Sequence, residues 1–92
     1  MNILNKVKRT KVNNNADFLH CVYLFVDAVE DYFFNYDPKK ESQIILIYNF
    51  IKNNLIDYKT NTEFERKEKQ ELLGALEDGI DGFKFRKEYP CL

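Results

Sequence analysis

The stretch FLHCVYLFVDAVEDYFFNYD, residues 18–37, decides the fold of this 92-residue chain. At about 100° per residue, its apolar side chains recur at alternating spacings of three and four, which is a helical period and not a strand period. The residues on this face are Phe18, Val22, Phe25, Val29, Tyr32 and Tyr36. The pattern predicts an amphipathic helix over residues 16–36.

The apolar face of this first helix is wider than the ~100° stripe of an ordinary surface helix. Leu19, Val26 and Phe33 widen it on one side. We expect the two helices that follow to cover this excess. The polar remainder is a narrow and mostly acidic stripe. Its members are Asp17, His20, Asp27, Glu30 and Asp31. His20 is interpreted as a surface residue of this stripe.

A second helix is predicted over residues 38–58. Asp37 and Pro38 fit an N-cap followed by proline at the first helical position, where the missing N–H costs nothing. The β-branched run of residues 44–48 would also suit a buried strand. We favour the helix, because the helical period continues as far as Tyr58 and the chain offers no comparable strand partner.

A third helix is predicted over residues 63–78. Thr62 and Glu65 have the spacing of a capping box, in which each side chain satisfies a backbone N–H near the helix start. Gly79 follows the last apolar residues and is interpreted as a left-handed cap that ends the helix.

The two ends of the chain have different patterns from the three helices. Residues 1–15 carry four basic side chains and no acid: Lys6, Lys8, Arg9 and Lys11. Residues 83–92 begin with alternating apolar and basic side chains but have no strand to pair with. We therefore predict an all-α fold, a three-helix bundle in up-down-up order with a basic N-terminal arm and a short extended C-terminal tail. It forms one small domain over residues 1–92.

Composition is that of a small globular protein. The chain is 45% hydrophobic and 32% charged, well inside the range of folding domains. The formal net charge of -1 argues against attraction of the whole molecule to nucleic acid or anionic lipid. No apolar run is long enough for a bilayer and no signal-peptide pattern is seen. Cys21 and Cys91 make no disulfide framework. A cytoplasmic protein without membrane contact is expected.

No motif in the sequence indicates catalysis or cofactor binding. The chain has one histidine and two cysteines that are 70 positions apart, so neither a metal site nor an activated nucleophile is indicated. Asp78 and Asp81 flank glycines but lack the acid pattern of a calcium loop. We predict that the protein is not an enzyme and uses no metal or cofactor.

A protein-binding surface is the most specific functional prediction. Asp27, Glu30 and Asp31 lie beside two aromatic residues expected to be exposed, Tyr23 and Phe34. Acidic and aromatic side chains together suit a partner with a basic surface, such as a toxin or a nuclease. In size and helical content the chain is similar to small immunity proteins of bacteriocins and toxins. That similarity implies a non-enzymatic inhibitor of the immunity, antitoxin or anti-defence kind.

The ratio of lysine to arginine bears on the source of the chain. Eleven Lys against three Arg indicates a low-GC bacterial or phage genome.

Three alternatives remain open. The acidic stripe can be a plain solvated helix face. The basic arm could bind phosphates in a small nucleic-acid-binding regulator, although a recognition helix would expose Arg, Lys, Asn or Gln and the first helix exposes acids. The wide apolar face could also pack against a second copy in a homodimer or other homo-oligomeric structural subunit.

Overall fold

Four α-helices make up the fold in the computed structural model, which describes residues 2–89. They are α1 (Ile3–Arg9), α2 (Asn15–Phe34), α3 (Lys40–Asn54) and α4 (Glu63–Glu88). The predicted all-α class is confirmed. The prediction of three helices with a basic arm and an extended tail is not confirmed, because the arm contains a fourth helix and the tail continues α4.

Helix α2 begins where the sequence predicts. The Asn14 side chain accepts a hydrogen bond of 2.9 Å from the backbone N–H of Asp17, and the Asp17 carboxylate lies near the positive end of the helix dipole. Half of the fourteen buried hydrophobic residues belong to α2: Phe18, Cys21, Val22, Phe25, Ala28, Val29 and Tyr32. Helix α2 is therefore the centre of the core.

Helix α3 is shorter at both ends than predicted. Asp37 does not cap the helix directly, since its carboxylate accepts from the backbone N–H of Lys39 at 3.0 Å. Its carbonyl accepts from the backbone N–H of Lys40 at 2.9 Å. Asp37 and Pro38 thus form a turn, and the helix starts after it. Residues 44–48 are helical, so the strand alternative for that run is wrong.

Helix α4 begins at the predicted capping box. The Thr62 hydroxyl oxygen accepts from the backbone N–H of Glu65 at 3.1 Å and lies 3.4 Å from the Glu65 carboxylate. This arrangement satisfies one of the unpaired donors of the first turn.

The predicted helix end at Gly79 is wrong. No described glycine has a positive φ, and α4 continues to Glu88. The apolar period continues through the glycine, since the buried residues of α4 are Leu76, Ile80 and Phe83. The extended tail predicted over residues 83–92 is therefore helical as far as Glu88. Residues 90–92, with Cys91, lie outside the described residues.

The predicted basic arm is docked on the bundle. Asn2 caps α1, accepting from the backbone N–H of Asn5 at 2.9 Å. The Val7 side chain is 0% exposed and belongs to the core. Helix α1 packs against both α2 and α3, so part of the arm is a structural element.

Helices α2 and α3 run antiparallel. Tyr32, late in α2, donates a 2.8 Å hydrogen bond to the carboxylate of Glu41, early in α3. In the middle of both helices the rings of Phe25 and Tyr48 lie 6.0 Å apart. The later residue of α2 thus contacts the earlier residue of α3, which shows that the two helices run in opposite directions.

Helices α2 and α4 run parallel. Gly79 contacts the ring of Phe25, and further along both helices the rings of Phe83 and Tyr32 lie 5.2 Å apart. The three long helices consequently have up-down-up directions, with α2 in contact with all the others. None of the helices within residues 2–89 has the length and apolarity needed to cross a membrane.

Candidate protein-binding surface

The outward face of α2 carries four of the five predicted partner-binding residues. At about 100° per residue, Tyr23, Asp27, Glu30 and Phe34 fall within an arc of about 60°. This arc points away from the buried face of α2 that packs on α3. All four side chains are exposed. We call these four residues the acidic–aromatic face.

The two aromatic side chains of this face are unusually open to solvent. Tyr23 is 62% exposed and Phe34 is 82% exposed. A large aromatic ring gains free energy when it is removed from water. Neither ring achieves this in the isolated chain, so both remain able to contribute on contact with another surface.

Asp31, the fifth predicted residue, is engaged within the fold. Its carboxylate lies 2.7 Å from the Lys40 ammonium and accepts from the Asn35 side-chain amide at 3.0 Å. These hydrogen bonds, Lys40 first, hold the pKa of the Asp31 carboxyl below its ordinary value. Asp31 therefore joins the end of α2 to the start of α3, unlike Asp27 and Glu30.

An uncovered groove lies between α2 and α4, next to the acidic–aromatic face. Leu19 and Phe33 remain 47% and 39% exposed. The expectation that neighbouring helices cover the excess apolar width of α2 is therefore wrong on this side. Sequence reasoning missed the groove, because it depends on how α4 crosses α2.

Small residues of α4 keep this groove open. At Gly79 the backbone of α4 comes close to α2, because a Cβ atom there would lie 2.7 Å from the ring of Phe25. At Gly82 a Cβ atom would meet only the Phe33 ring, at 3.8 Å. Together with Ala75 these glycines form a low wall on the α4 side.

The charged residues that line the groove are all acidic. Its apolar lining extends from Leu19 and Leu72 at one end to Phe33 at the other. Glu30, Glu68 and Asp78 line the groove between α2 and α4, and Asp27 lines an adjoining depression on α2. The charged side chains that line the groove and this depression are therefore all carboxylates.

The hydroxyl of Tyr48 links α3 to α4, the helix that forms one side of the groove. The Tyr48 hydroxyl donates to the carboxylate of Glu77, at 2.7 Å to one oxygen and 2.8 Å to the other. Burial and this carboxylate raise the pKa of Tyr48 to about 12. The pKa of Glu77 is lowered by the Tyr48 hydroxyl and by Lys52, whose ammonium lies 2.9 Å away. This link joins α3 to α4.

Exposed aromatic residues also gather where the C-terminal ends of α2 and α4 meet. Phe85 is 56% exposed and Tyr89 is 51% exposed, with their ring centroids 4.8 Å apart. Tyr36 lies nearby, under the guanidinium of Arg86 at 5.3 Å from the ring centroid. Sequence reasoning did not include Phe85 and Tyr89 in the site, because it placed them on an extended tail.

Other sequence-predicted groups are not among these residues. His20 is exposed on α2, one turn before Tyr23. Cys21 is buried beside Thr10, and burial raises the pKa of its thiol to about 11. The Lys8 ammonium of α1 lies 5.9 Å from the centre of the Phe50 ring. Within residues 2–89, no three His, Cys, Asp or Glu side chains gather in a way that could hold a metal ion.

Comparison of the chain with protein-family models, with curated proteins and with solved structures gives no match.

Proposed function

We propose that this protein is a non-enzymatic inhibitor of the immunity, antitoxin or anti-defence kind. It binds a toxin or nuclease and covers the partner's substrate-binding surface. The observation that carries the proposal is the pairing of two exposed aromatic rings, Tyr23 and Phe34, with two acids on one face of α2. Both rings are mostly exposed, and exposed apolar and aromatic surface rimmed by polar residues is a feature of interaction sites.

The two residue types of the face have separate roles in this proposal. Tyr23 and Phe34 supply binding energy, since aromatic anchors at the centre of an interface dominate affinity. Asp27 and Glu30 supply attraction to a basic surface and speed the encounter. A nuclease or a nucleic-acid-directed toxin has such a surface at its substrate site. Covering that surface would inhibit the partner without any chemistry by this chain.

The direct test uses the protein encoded by the adjacent gene, if that gene encodes a toxin or nuclease. The variant Asp27→Lys with Glu30→Lys should bind it at least about tenfold more weakly, which is about 1.4 kcal/mol. The matched control, Asp57→Lys with Asp81→Lys, makes the same charge change at two exposed acids off this face. Equal affinity of both double variants would argue against the acidic–aromatic face. Asp31 is left unchanged because its replacement would break the Lys40 bridge.

A nucleic-acid-binding regulator is the second candidate, favoured by the concentration of basic residues on α1. Lys6, Lys8 and Arg9 lie in its last turn, and Lys11 follows. Deletion of residues 1–12 would remove Val7 from the core, so charge reversal of Lys6 and Lys11 is the appropriate test. Salt-dependent binding to random DNA that is lost in this variant would favour the regulator.

A further inference from the structure

The groove between α2 and α4 has the length and shape to accommodate one more helix. On the α2 side it extends from Leu19 to Phe33, about 21 Å at 1.5 Å per residue. Most of its lining is apolar, and on the α4 side it is formed by the small residues Ala75, Gly79 and Gly82. Helices pack by placing side-chain ridges of one into the grooves of another. A helix of about four turns would fill this length.

The same molecule already shows this mode of packing. Helix α1 is short, carries basic residues and packs against both α2 and α3. Its Val7 side chain is fully buried by that contact. The groove on the other side of α2 has no such helix within residues 2–89. Its Leu19 and Phe33 side chains therefore stay exposed.

The charges of the groove indicate what its occupant carries. All the charged residues that line the groove or the adjoining depression on α2 are carboxylates, two on α2 and two on α4: Asp27, Glu30, Glu68 and Asp78. An occupant with Lys or Arg on both flanks of an apolar stripe would pair with the two rims, and an acidic occupant would be repelled.

Other occupants fit the groove less well. In a symmetric dimer through this groove, the carboxylates of one copy would lie close to the carboxylates of the second copy, which places like charges together. A partner strand needs an exposed sheet edge to pair with, and residues 2–89 contain no strand.

We propose that the α2–α4 groove is the docking site for one α-helix of the partner protein, a helix with an apolar stripe flanked by Lys or Arg. This inference rests on the proposed function, because the acidic–aromatic face forms one rim of the groove. It adds the secondary structure and the charge pattern of the segment that is bound.

The test uses the full chain and a synthetic peptide of about 15 residues, long enough to span the groove at 1.5 Å per residue. The peptide has a leucine stripe flanked by lysines. One control peptide has glutamate in place of lysine, and another has the same composition with the helical period broken. Affinity is measured by fluorescence anisotropy. We expect the lysine peptide alone to bind, with millimolar or weaker affinity for both controls.

Two glycine substitutions locate the binding site. Gly82→Leu places a side chain in the groove, where its Cβ atom meets only the Phe33 ring at 3.8 Å, whereas Gly74→Leu adds the same side chain where a Cβ atom meets nothing within 4 Å. Gly82→Leu should weaken binding of the lysine peptide by about tenfold or more, and Gly74→Leu by less than about twofold. Equal affinities for the two variants, equal binding of the glutamate peptide, or no binding of the lysine peptide would overturn the inference.

The same variants separate this inference from the proposed function. If Asp27→Lys with Glu30→Lys weakens binding of the natural partner but Gly82→Leu does not, the acidic–aromatic face binds the partner and the groove is not the helix site. If neither variant changes the affinity for that partner, both proposals fail.

Discussion

The ring of Phe25 lies against the backbone of Gly79, so that a Cβ atom on Gly79 would come within 2.7 Å of the ring Cε2 atom. This contact sets the distance between α2 and α4 at the centre of the bundle. Phe25 is 0% exposed and belongs to the core, so a shift of its ring would disturb the packing of its neighbours.

Gly79→Ala is therefore expected to destabilise the protein, although alanine favours helix formation. Overpacking of a filled core costs about 1–3 kcal/mol, which outweighs the helix-propensity gain of about 1 kcal/mol. Gly74→Ala, in open space on the same helix, should instead stabilise the fold by about 0.4–1 kcal/mol. Urea denaturation of both variants gives the comparison. A stabilised Gly79→Ala variant would show that the helices separate freely.

Val7→Ala tests whether α1 belongs to the cooperative fold. Because Val7 is 0% exposed, its truncation removes buried methyl groups and leaves a cavity, at a cost of about 1–3 kcal/mol. Lys11→Ala, at an exposed position of the same segment, should change the unfolding free energy by less than about 0.5 kcal/mol. Equal unfolding free energies for Val7→Ala and the unmodified chain would mean that α1 is dispensable.

The difference between a basic arm and a docked helix shows what sequence reasoning could reach. Helix types and starts depend on local signals, and the cap at Thr62 was predicted correctly. The burial of Val7 depends on packing of α1 against both α2 and α3, and α3 begins 33 residues after Val7. The sequence of residues 1–15 alone cannot show that packing.

The error at Gly79 has a different origin. Glycine after an apolar run is a common helix end, but here it provides space for the Phe25 ring. A signal was present, since Leu76, Ile80 and Phe83 continue the spacing of four and three through the glycine. The α2–α4 groove had no comparable signal, because it arises only from the parallel packing of α4 on α2.

Tyr48 is expected to limit stability at alkaline pH. Its pKa is raised from the ordinary value of 10.0 to about 12 in the folded protein. A raised pKa favours the protonated hydroxyl in the folded state, so the corresponding stabilisation is complete below pH 10.0 and is lost as pH rises toward about 12. The unfolded chain binds fewer protons across this interval, which makes the unfolding free energy decrease with pH.

Tyr48→Phe should therefore lose less stability than the unmodified protein across this pH interval. At neutral pH the variant is less stable by about 1 kcal/mol, because the hydrogen bond to Glu77 is missing. Denaturation curves at several alkaline pH values measure both effects. Equal slopes of unfolding free energy against pH for the two proteins would contradict the prediction.

Tyr23 and Phe34 should separate binding from folding. Both rings are mostly exposed, so Tyr23→Ser with Phe34→Ser is expected to change the unfolding free energy by less than about 0.5 kcal/mol per site. Phe83→Ser, which truncates a ring that is 1% exposed, should cost about 3–5 kcal/mol. In binding to the partner, the exposed-ring variant should lose about tenfold or more in affinity, because aromatic anchors dominate interface energy. Unchanged affinity for the partner would remove both rings from the interface.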